Sequence, residues 1–330
     1  MRREELKERV VERWAVTGHE GKSGALLERV RLDDGRRLVV KRLSPENDLL
    51  MAMTGDAVGR EFVLWSEGVL DRLPAGVAHA VVGGWAEPEG SVLVMRDLGD
   101  SVLTWADRLD PARCRWMLRR MARMHDTFAG ADLPDAAAAG LTPLPVHVGL
   151  FSPDRVRPFA ESQNGLPAIV LRGWDIFFET VPNDVAAPVR ELLDDPSPLV
   201  AALESRPVTL LHGDLTTVNM AVEGDRLTLL DWALPALAPG AVDIARFLAG
   251  CSSVVDLSRE EVLAVYRDAC GPSYDDYAMG LALVSGLLWL GWNKAYDAAE
   301  HPDAGIRARE RDDLDWWLRQ ARRTLDAGLL

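Results

Sequence analysis

Three oxygen-bearing side chains stand out in the stretch 210–248 by their types and spacing. Asp214 and Asn219 lie five residues apart in a polar loop, and Asp231 lies twelve residues further along the chain. Carboxylate and amide oxygens, few in number, suit Mg²⁺, which keeps several of its waters and shares the phosphates of a substrate. If the three side chains meet, they could hold a magnesium ion. In the alternative interpretation, Asp214 and Asn219 are only turn caps.

The elements around these residues could bring them together. Two short apolar stretches, VTLL at 208–211 and LTLL at 227–230, are typical of strands and bracket the polar loop. An EGD turn at 223–225 lies between them. We therefore predict that the two strands form a hairpin, which brings the three polar side chains close to one another.

The loop and the strand after it resemble a known family. HGDLTTVN at 212–219 is similar to the catalytic loop of the protein-kinase-like fold, in the His-Gly-Asp form of aminoglycoside phosphotransferases and choline kinases. LLDWA at 229–233 stands in the place of the Asp-Phe-Gly element. The resemblance implies that Asp214 accepts the proton of an attacking hydroxyl group. It also implies that Asn219 holds one magnesium ion and that Asp231 bridges metal and phosphates.

The phosphate-binding lysine of that family has a counterpart here. Lys41 ends the apolar run at 38–40, and the resemblance implies that it pairs with the α- and β-phosphates of a nucleotide. Glu61 begins the amphipathic segment 59–73, which we predict to be a helix, and stands where the family has the carboxylate that aims the lysine. Glu67 on the same segment is the alternative partner. The alternative for Lys41 is an exposed position on a strand.

A glycine-containing segment, GHEGKSG at 18–24, lies where the family has its nucleotide-covering loop. Its glycines would let backbone amides approach phosphate oxygens, and Ser23 could add a hydroxyl group. A Walker-type phosphate loop is excluded, because that pattern requires glycine at position 16, which is Val16. The segment also joins a strand to a strand, whereas a Walker loop joins a strand to a helix.

The stretch SVLVMRDLG at 91–99 resembles the last strand of the small lobe and the hinge after it. The resemblance implies that Met95 lines the back of the adenine pocket. It also implies that Arg96 and Leu98 provide the backbone acceptor and donor for adenine. An apolar core strand is the structural interpretation of the same residues, and the two are compatible.

The coarse pattern predicts an α+β protein. Strand-like runs at Ala25–Leu32 and Arg37–Leu43 flank an Asp-Asp-Gly turn, which is a hairpin signal, whereas the second hundred residues begin a helical pattern with Pro111–Phe128. The resemblance implies the two-lobed protein-kinase-like fold, with a small antiparallel-sheet N-lobe and a mainly helical C-lobe. We predict a nucleotide-binding lobe at 1–98 and a catalytic, substrate-binding helical lobe at 99–330.

Composition argues against several classes of partner. The 330 residues carry a net charge of −14, which disfavours nucleic acid and anionic membranes. Three widely spaced cysteines form no CxxC pair, which favours a reducing, cytoplasmic location. The longest apolar run, at 278–292, is shorter than the ~20 residues of a spanning helix and predicts a buried helix. The charged N-terminal sequence has no signal-peptide pattern.

The spacing after Asp231 bears on the substrate. Only WALPALAPGAV at 232–242 separates Asp231 from Asp243, and no Ala-Pro-Glu element follows. This is too little chain for the platform on which protein kinases hold a peptide, so we expect a small-molecule acceptor and no protein substrate. Asp243 opens the segment DIARFL, where the resemblance implies that it steadies the catalytic loop; a helix N-cap is the other interpretation.

Two features could attract a cationic acceptor. The stretch 175–204 holds seven acidic residues and one arginine, and Trp289, Trp292 and Tyr296 recur at helical spacing, where aromatic rings can hold cations. A solvated helical face explains the acids as well, and a buried core explains the aromatic residues. The acceptor is therefore left open.

These features together predict an ATP-dependent kinase, with GTP as the alternative nucleotide, that uses Mg²⁺ to phosphorylate a hydroxyl group of a small molecule. An aminoglycoside or related antibiotic is one class of acceptor. A sugar, an amino sugar or an amino alcohol such as choline is the alternative. The remaining hypotheses are a catalytically inactive nucleotide-binding module and a structural protein that binds no nucleotide.

Overall fold

The computed structural model describes residues 1–16, 24–162 and 165–328. The α-helices of this part of the chain are α1 (Arg3–Arg9), α2 (Leu49–Thr54), α3 (Arg60–Ser66), α4 (Pro111–Phe128), α5 (Asp135–Gly140), α6 (Leu144–Val148), α7 (Pro153–Val156), α8 (Leu166–Thr180), α9 (Asn183–Asp194), α10 (Ser197–Glu204), α11 (Ala241–Cys251), α12 (Arg259–Cys270), α13 (Asp276–Glu300) and α14 (Ala304–Asp326). The strands are β1 (Val10–Ala15), β2 (Leu26–Leu32), β3 (Arg37–Leu43), β4 (Val77–His79), β5 (Val81–Glu87), β6 (Gly90–Arg96), β7 (Thr209–Leu211), β8 (Met220–Glu223), β9 (Arg226–Leu229) and β10 (Ala236–Ala238).

The chain divides into two compact units, each assembled from three separate segments. Unit 1 comprises Met1–Arg108, Ala131–Thr142 and Asp214–Pro235, and unit 2 comprises Leu109–Gly130, Pro143–Gly213 and Ala236–Leu330. The segment that carries the predicted metal ligands thus belongs to the unit with the N-terminal sheet. The boundary after residue 98, which assumes two continuous lobes, stays a prediction.

Unit 1 contains the small antiparallel sheet that the sequence predicts. Its strand order is β1-β2-β3-β6-β5, and every neighbouring pair is antiparallel. The Asp-Asp-Gly turn joins β2 and β3, and Gly35 in it has a φ of 83°, which glycine adopts readily. Leu38 and Val40 of β3 pack in a buried cluster with Leu6 of α1. Because side chains alternate along a strand, Lys41 lies on the opposite face.

That opposite face of the sheet packs against α3. Leu93 and Met95 of β6 form a buried cluster against which Phe62 and Trp65 of α3 pack. Burial of such side chains contributes roughly 1.5–3 kcal/mol each. The packing holds α3 next to β3 and so determines how close the side chains of the helix come to Lys41.

α3 is shorter than the predicted helix. The apolar period continues over 59–73, but the α-helix ends at Ser66 and a 3₁₀ turn follows at Leu70–Arg72. Gly68 between them has a φ of 70°, the left-handed conformation with which helices commonly end. The glycine therefore ends the helix although the apolar pattern continues.

The second sheet of unit 1 corrects the predicted hairpin. β9 pairs antiparallel with β8 and parallel with β4, whereas β7, which begins at Thr209, lies in unit 2 and pairs with β10. The expected pairing of 208–211 with 227–230 is therefore wrong. A two-residue turn, here Gly224-Asp225, joins only the strands that flank it directly. The missed strand is MAVE, which immediately precedes this turn.

Unit 2 is mainly helical, as predicted. Its long helix α13 packs against α8, α11 and α14, and the apolar run within it is buried as expected. No helix in the described part of the chain is long and apolar enough to cross a bilayer. α4 has the predicted bounds, because Asp110 caps its first turn by accepting the N–H groups of Ala112 and Arg113.

Candidate active site

Lys41 is held between two carboxylates in unit 1. Its Nζ lies 2.9 Å from Oε2 of Glu61 and 2.7 Å from Oδ1 of Asp231. The side chains of Lys41 and Glu61 are buried, whereas that of Asp231 is 36% exposed. The structure thus brings together three predicted site residues. It also shows Glu61 as the partner of the lysine, since Glu67 is exposed.

The surroundings of Lys41 keep it charged. Burial alone lowers the pKa of a lysine, because the ammonium group loses its hydration. The charges and hydrogen bonds of Asp231 and Glu61 oppose this effect and outweigh it, so the pKa of Lys41 lies well above its ordinary value. Lys41 is therefore a permanent cation that could neutralise phosphate oxygens.

A buried polar cluster fixes the helix that carries Glu61. The carboxylate of Asp56 accepts the backbone N–H groups of Gly59 and Arg60, at 2.8 and 2.9 Å. The guanidinium of Arg60 in turn donates to the hydroxyl and carbonyl oxygens of Thr54. These contacts anchor the first turn of α3. The sequence analysis missed Asp56, although an acidic residue shortly before a helix is a recognisable signal.

Asp214 and Asn219 are in direct contact. Nδ2 of Asn219 donates to Oδ2 and to the backbone oxygen of Asp214, both at 3.0 Å. A 3₁₀ turn at Thr217–Asn219 closes the loop between them. Because the amide nitrogen faces Asp214, the amide oxygen is the atom of Asn219 that is suited to a cation. The contact also restricts the orientation of the Asp214 carboxylate.

The hairpin of β8 and β9 brings Asn219 next to Asp231. Leu230 donates its backbone N–H to the carbonyl oxygen of Asn219 at 2.9 Å, one step beyond the paired residues Met220 and Leu229. Opposed residues in such a ladder have Cβ atoms ~5 Å apart. The hairpin that places Asn219 beside the residue before Asp231 is thus that of β8 and β9, and the convergence of the three side chains stays a prediction.

Asp231 has an unusual backbone conformation. Among the described residues other than glycine, it alone has a positive φ, of 60°. The left-handed region costs an ordinary residue ~1–2 kcal/mol, and aspartate is one of the few that adopt it locally. Asp231 adopts this conformation two residues after β9, where its carboxylate meets Lys41.

Two residues expected near adenine share one buried cluster of unit 1. Met95 is buried, and Val39, Leu98 and Leu230 pack against the cluster to which it belongs. Leu230 immediately precedes Asp231, so the cluster adjoins the polar residues of the candidate site. The location of Met95 and Leu98 is compatible with an apolar surface for a base, and their contact with adenine stays a prediction.

The side chain of Arg96 has a structural partner. It forms a two-pronged ion pair with Glu223 of β8, at 2.9 and 3.0 Å, and with the Thr228 hydroxyl it lowers the pKa of Glu223 below its ordinary value. The pair ties β6 to the hairpin that precedes Asp231. The backbone N–H of Arg96 donates to Ala80. Its carbonyl oxygen, assigned to adenine by resemblance, stays a prediction.

The predicted phosphate-covering loop falls mostly in a part of the chain that the structure does not describe. Ser23 lies in this gap, at 17–23, so its contact with phosphate stays a prediction. Gly24 follows the gap with a φ of 99°, and a Cβ there would lie 2.4 Å from the carbonyl oxygen of Asn47. Glycine is therefore required where this loop meets β2.

In unit 2, Asp243 binds the backbone immediately before Asp214 in the sequence. Its Oδ2 accepts the N–H of His212 and its Oδ1 accepts the N–H of Gly213, each at 2.9 Å. The expected role of Asp243 in steadying this stretch agrees with these contacts. The N-cap interpretation is wrong, because Gly240 occupies the cap of α11.

Two buried residues behind Asp243 were missed by the sequence analysis. Nε2 of His125 on α4 lies 3.1 Å from Oδ2 of Asp243, and its Nδ1 lies 2.9 Å from the hydroxyl oxygen of Tyr266 on α12. Burial raises the pKa of Asp243, but its bonds to His125 and to the backbone outweigh burial and lower it. A histidine on the apolar face of the amphipathic α4 was the available signal.

The aromatic stripe of α13 belongs to the core. Trp289 and Trp292 are both buried, as the structural interpretation holds. The indole N–H of Trp289 donates to the carbonyl oxygen of His147, whose Nε2 lies 3.2 Å from the carbonyl oxygen of Gly213. The guanidinium carbon of Arg246 lies 4.9 Å from the centre of the Trp289 ring. A cation thus already accompanies this ring.

Some acids of the stretch 175–204 have structural partners. Asp184 forms an ion pair with Arg322 of α14, and Asp195 accepts the backbone N–H of Ser197 at the start of α10. The ion pair with Arg322 offsets one of the seven negative charges that the stretch could offer to a cationic ligand.

Asn219 and Asp231 fit a magnesium site with few protein ligands. Within the described ranges, no group of three or more His, Cys, Asp or Glu side chains could hold a metal ion. Asp231 supplies a carboxylate that solvent reaches, and Asn219 supplies an amide oxygen. Mg²⁺ commonly binds one or two such ligands and takes the others from water and substrate phosphates. The donor set therefore fits this ion.

Solved structures share the fold of this chain. A spectinomycin phosphotransferase, APH(9)-Ia, in complex with ADP and spectinomycin matches at 14% identity and a TM-score of 0.54, over 99% of this chain and 97% of that chain. The choline kinase LicA from Streptococcus pneumoniae matches at 14% identity and a TM-score of 0.54, over 96% of each chain. A choline/ethanolamine kinase family protein from Mesorhizobium loti matches at 14% identity and a TM-score of 0.51, over 96% of this chain and 95% of that chain.

The family of the chain is shown by its sequence. No curated protein matches it significantly, but the model of the phosphotransferase enzyme family (APH) matches residues 21–279. The matched range includes Lys41, Glu61 and the whole stretch from Asp214 to Asp231. The predicted resemblance and the kinase-like fold are thereby confirmed. The chain belongs to the phosphotransferase enzyme family.

Proposed function

We propose that the chain is an ATP-dependent kinase that transfers the γ-phosphate to a hydroxyl group of a small molecule. The observation that carries the proposal is the contact of Lys41 with Asp231 at 2.7 Å. Asp231 follows the β8–β9 hairpin, and the loop that precedes this hairpin holds Asn219 against Asp214. Phosphoryl transfer requires mainly positioning and charge neutralisation. A permanent cation beside a solvent-accessible carboxylate, with an oriented aspartate nearby, meets these requirements.

Asp214 is the catalytic base in this proposal. Its carboxylate accepts the proton of the acceptor hydroxyl as that oxygen bonds to the γ-phosphorus, and the bond from the γ-phosphorus to ADP breaks. Asn219 donates to Oδ2 of Asp214 and so restricts the direction in which the base points. A base that is already oriented when the acceptor arrives lowers the cost of reaching the reactive geometry.

Lys41 holds the α- and β-phosphates, and Glu61 aims it. Asp231 is the second anionic partner of Lys41. Phosphate binding would therefore exchange one anion at Lys41 for another and release the Asp231 carboxylate. Asn219 and Asp231 would hold Mg²⁺, which when bound neutralises charge on the phosphates.

The remaining nucleotide contacts follow the resemblance. Met95 would line the back of the adenine pocket, and the backbone groups of Arg96 and Leu98 would bond the base edge. Ser23 would donate its hydroxyl to a phosphate. ATP is the proposed nucleotide and GTP is the alternative, because backbone contacts of this kind do not by themselves distinguish the two bases.

A small acceptor is supported by the chain between Asp231 and Asp243. Part of these eleven residues forms β10, and α11 begins two residues before Asp243. Five of the eleven residues thus lie in β10 or α11, and the remaining stretches are too short to hold an extended peptide.

The acceptor class has two candidates. An aminoglycoside or related antibiotic is the first. A metabolic sugar, amino sugar or amino alcohol is the second.

The test is acceptor-dependent ADP release. Purified protein with Mg²⁺ and ATP is screened against sugars, amino sugars, amino alcohols and antibiotics, with Asp214→Asn as the matched inactive control. We expect at least one class to raise ADP release above the rate without acceptor, in the wild type only. Drug resistance of a sensitive host on expression would identify the antibiotic class. Absence of nucleotide binding by calorimetry, together with no ADP release, would contradict the proposal.

A further inference from the structure

A chain of buried hydrogen bonds in unit 2 ends at the backbone before Asp214. It begins at the hydroxyl of Tyr266, passes through the imidazole of His125 and the carboxylate of Asp243, and reaches the N–H groups of the two residues that precede Asp214. The residues Tyr266, His125 and Asp243 are 4%, 5% and 1% exposed. Water therefore cannot readily replace any of these bonds.

The chemistry of the groups gives each bond its direction. The carboxylate of Asp243 only accepts hydrogen bonds, so Nε2 of His125 carries a proton. In the tautomer that carries its proton on Nε2 alone, Nδ1 presents a lone pair that accepts the hydroxyl of Tyr266. Burial raises the pKa of Tyr266 well above its ordinary value, so the phenol keeps its proton. Cys270 is a further polar contact of this hydroxyl.

An independent observation shows that the packing is built around this contact. Gly240 has a φ of −56°, which any residue could adopt, so its backbone does not require glycine. A Cβ at Gly240 would lie 2.6 Å from Nδ1 of His125 and 2.7 Å from the hydroxyl oxygen of Tyr266. Glycine is thus needed here to leave room for the hydrogen bond itself.

We propose that Tyr266 is a positioning residue, which holds His125 in the tautomer and orientation that keep Asp243 bonded to the backbone preceding Asp214. The proposal rests on the proposed function only in naming Asp214 as the base. Without the hydroxyl, Nδ1 of His125 loses its partner, and only the bond to Asp243 still orients the imidazole. Asp243 then loses its aligned partner, and the two backbone N–H groups that it binds become less restrained.

The direct test removes only the hydroxyl. In Tyr266→Phe we expect amide hydrogen exchange at His212 and Gly213 to be about tenfold faster, because the bonds from Asp243 open more often. The ¹⁵N resonance of Nδ1 in His125 should also move. Turnover of Mg²⁺-ATP with water as acceptor should fall about tenfold with an unchanged KM for ATP, since a small displacement of a reacting group reduces kcat.

The matched control is Tyr274→Phe. Tyr274 packs edge-on against Tyr266, with ring centres 6.4 Å apart. Its hydroxyl is not part of the series of hydrogen bonds that runs through His125. This variant should leave amide exchange, the ¹⁵N resonance and turnover as in the wild type. Gly240→Ala is the second test, because it keeps every polar group and displaces Tyr266 or His125 by sterics. It should change all three measurements in the same direction as Tyr266→Phe.

The outcomes separate this proposal from the proposed function. Wild-type amide exchange in a folded Tyr266→Phe overturns the role of Tyr266, as does faster exchange with unchanged turnover. If Tyr266→Phe lowers the melting temperature by more than a few degrees, the same measurements on Gly240→Ala decide whether Tyr266 has the proposed role. If the wild type binds no nucleotide and releases no ADP with water or with any acceptor class, the proposed function fails, and the exchange and ¹⁵N measurements decide the role of Tyr266 alone.

Discussion

Two buried lysines, one in each unit, have similar partners. Nζ of Lys294 on α13 lies 3.0 Å from Oε2 of Glu310 and 2.7 Å from Oδ2 of Asp313 on α14, almost the same distances as those from Lys41 to its two carboxylates. At both sites, burial lowers the pKa of the lysine, but the carboxylates outweigh it and raise the pKa above its ordinary value.

The two clusters differ in the surroundings of the aspartate. The side chain of Asp313 is 2% exposed, and it is also engaged by Arg259 and by the hydroxyl of Ser252. Asp231 is 36% exposed and follows a strand in a left-handed conformation. The comparison teaches that the placement of a lysine between two acids does not by itself show whether its role is catalytic or structural. Access to the carboxylate is what distinguishes a site that could receive a ligand from a closed support between helices.

The largest effect should come from breaking the closed cluster. Lys294→Met removes the positive charge that compensates the buried carboxylates of Glu310 and Asp313. Removal of one partner of a buried ion pair typically costs ~3–5 kcal/mol of unfolding free energy. Chemical denaturation measures the loss. Arg322→Met is the control, because it removes the exposed ion pair with Asp184 and should leave the unfolding midpoint almost unchanged. Equal stability of Lys294→Met and the wild type would contradict a structural role for the cluster.

The next effect is on turnover and concerns the residues around the open cluster. Asp214→Ala should lower kcat at least ~10²-fold, because a positioned base usually contributes that much. Its melting temperature should stay close to that of the wild type. Asp225→Asn, in the turn of the same hairpin, is the control and should keep its activity. Turnover of Asp214→Ala at the wild-type rate, with the true acceptor, would remove Asp214 from the mechanism.

A third prediction uses ligand binding to distinguish Asp231 of the open cluster from Asp313 of the closed one. Asp231→Asn retains a residue that tolerates the left-handed region and removes the charge. It should lose the Mg²⁺-dependent protection by ATP against thermal unfolding, which amounts to about 2.7 kcal/mol at a ligand concentration of 100 Kd. Asp313→Asn should lower the melting temperature and retain the protection. The metal assignment fails if Asp231→Asn is protected as well as the wild type.

The smallest effect is in the alkaline pH dependence. The pKa of Lys294 is raised in the folded state, so its contribution to stability is fully present below the unfolded-state pKa of ~10.4 and is lost as the pH rises above it. The stability difference between the wild type and Lys294→Met should therefore be constant from pH 7 to 9 and shrink above about pH 10.5. Denaturation at fixed ionic strength measures it. A difference that grows with pH would show the opposite sign of the pKa shift.

The polar residues of the candidate site could be predicted because their signals are local. Asp214, Asn219 and Asp231 lie within eighteen residues of one another, and Lys41 and Glu61 occupy recognisable places on a strand and a helix. Glu67 could not be discarded from the pattern alone, because both glutamates fit the helix. Only the packing of α3 against the sheet shows which one faces Lys41.

Features that depend on distant parts of the chain were not predicted. The pairing of β7 with β10 requires the chain to leave unit 2 and return to it, and no property of the short stretch VTLL encodes that partner. The contact of Tyr266 with His125 joins residues 141 positions apart. Lys294 also gave no signal, since a lysine in an apolar helix is read as an exposed residue until the acids of α14 are seen to face it.

The segments of the two units alternate along the sequence, and this order has a consequence for synthesis. Unit 1 needs residues 214–235 to complete its second sheet, so a nascent chain of the first hundred residues has only one of the two carboxylates of Lys41. The segment that supplies the other emerges from the ribosome after about two thirds of translation. Contacts of such long sequence separation form late, because the loop must first be closed. Lys41 therefore acquires its final charge environment only when about half of the helical unit has been made.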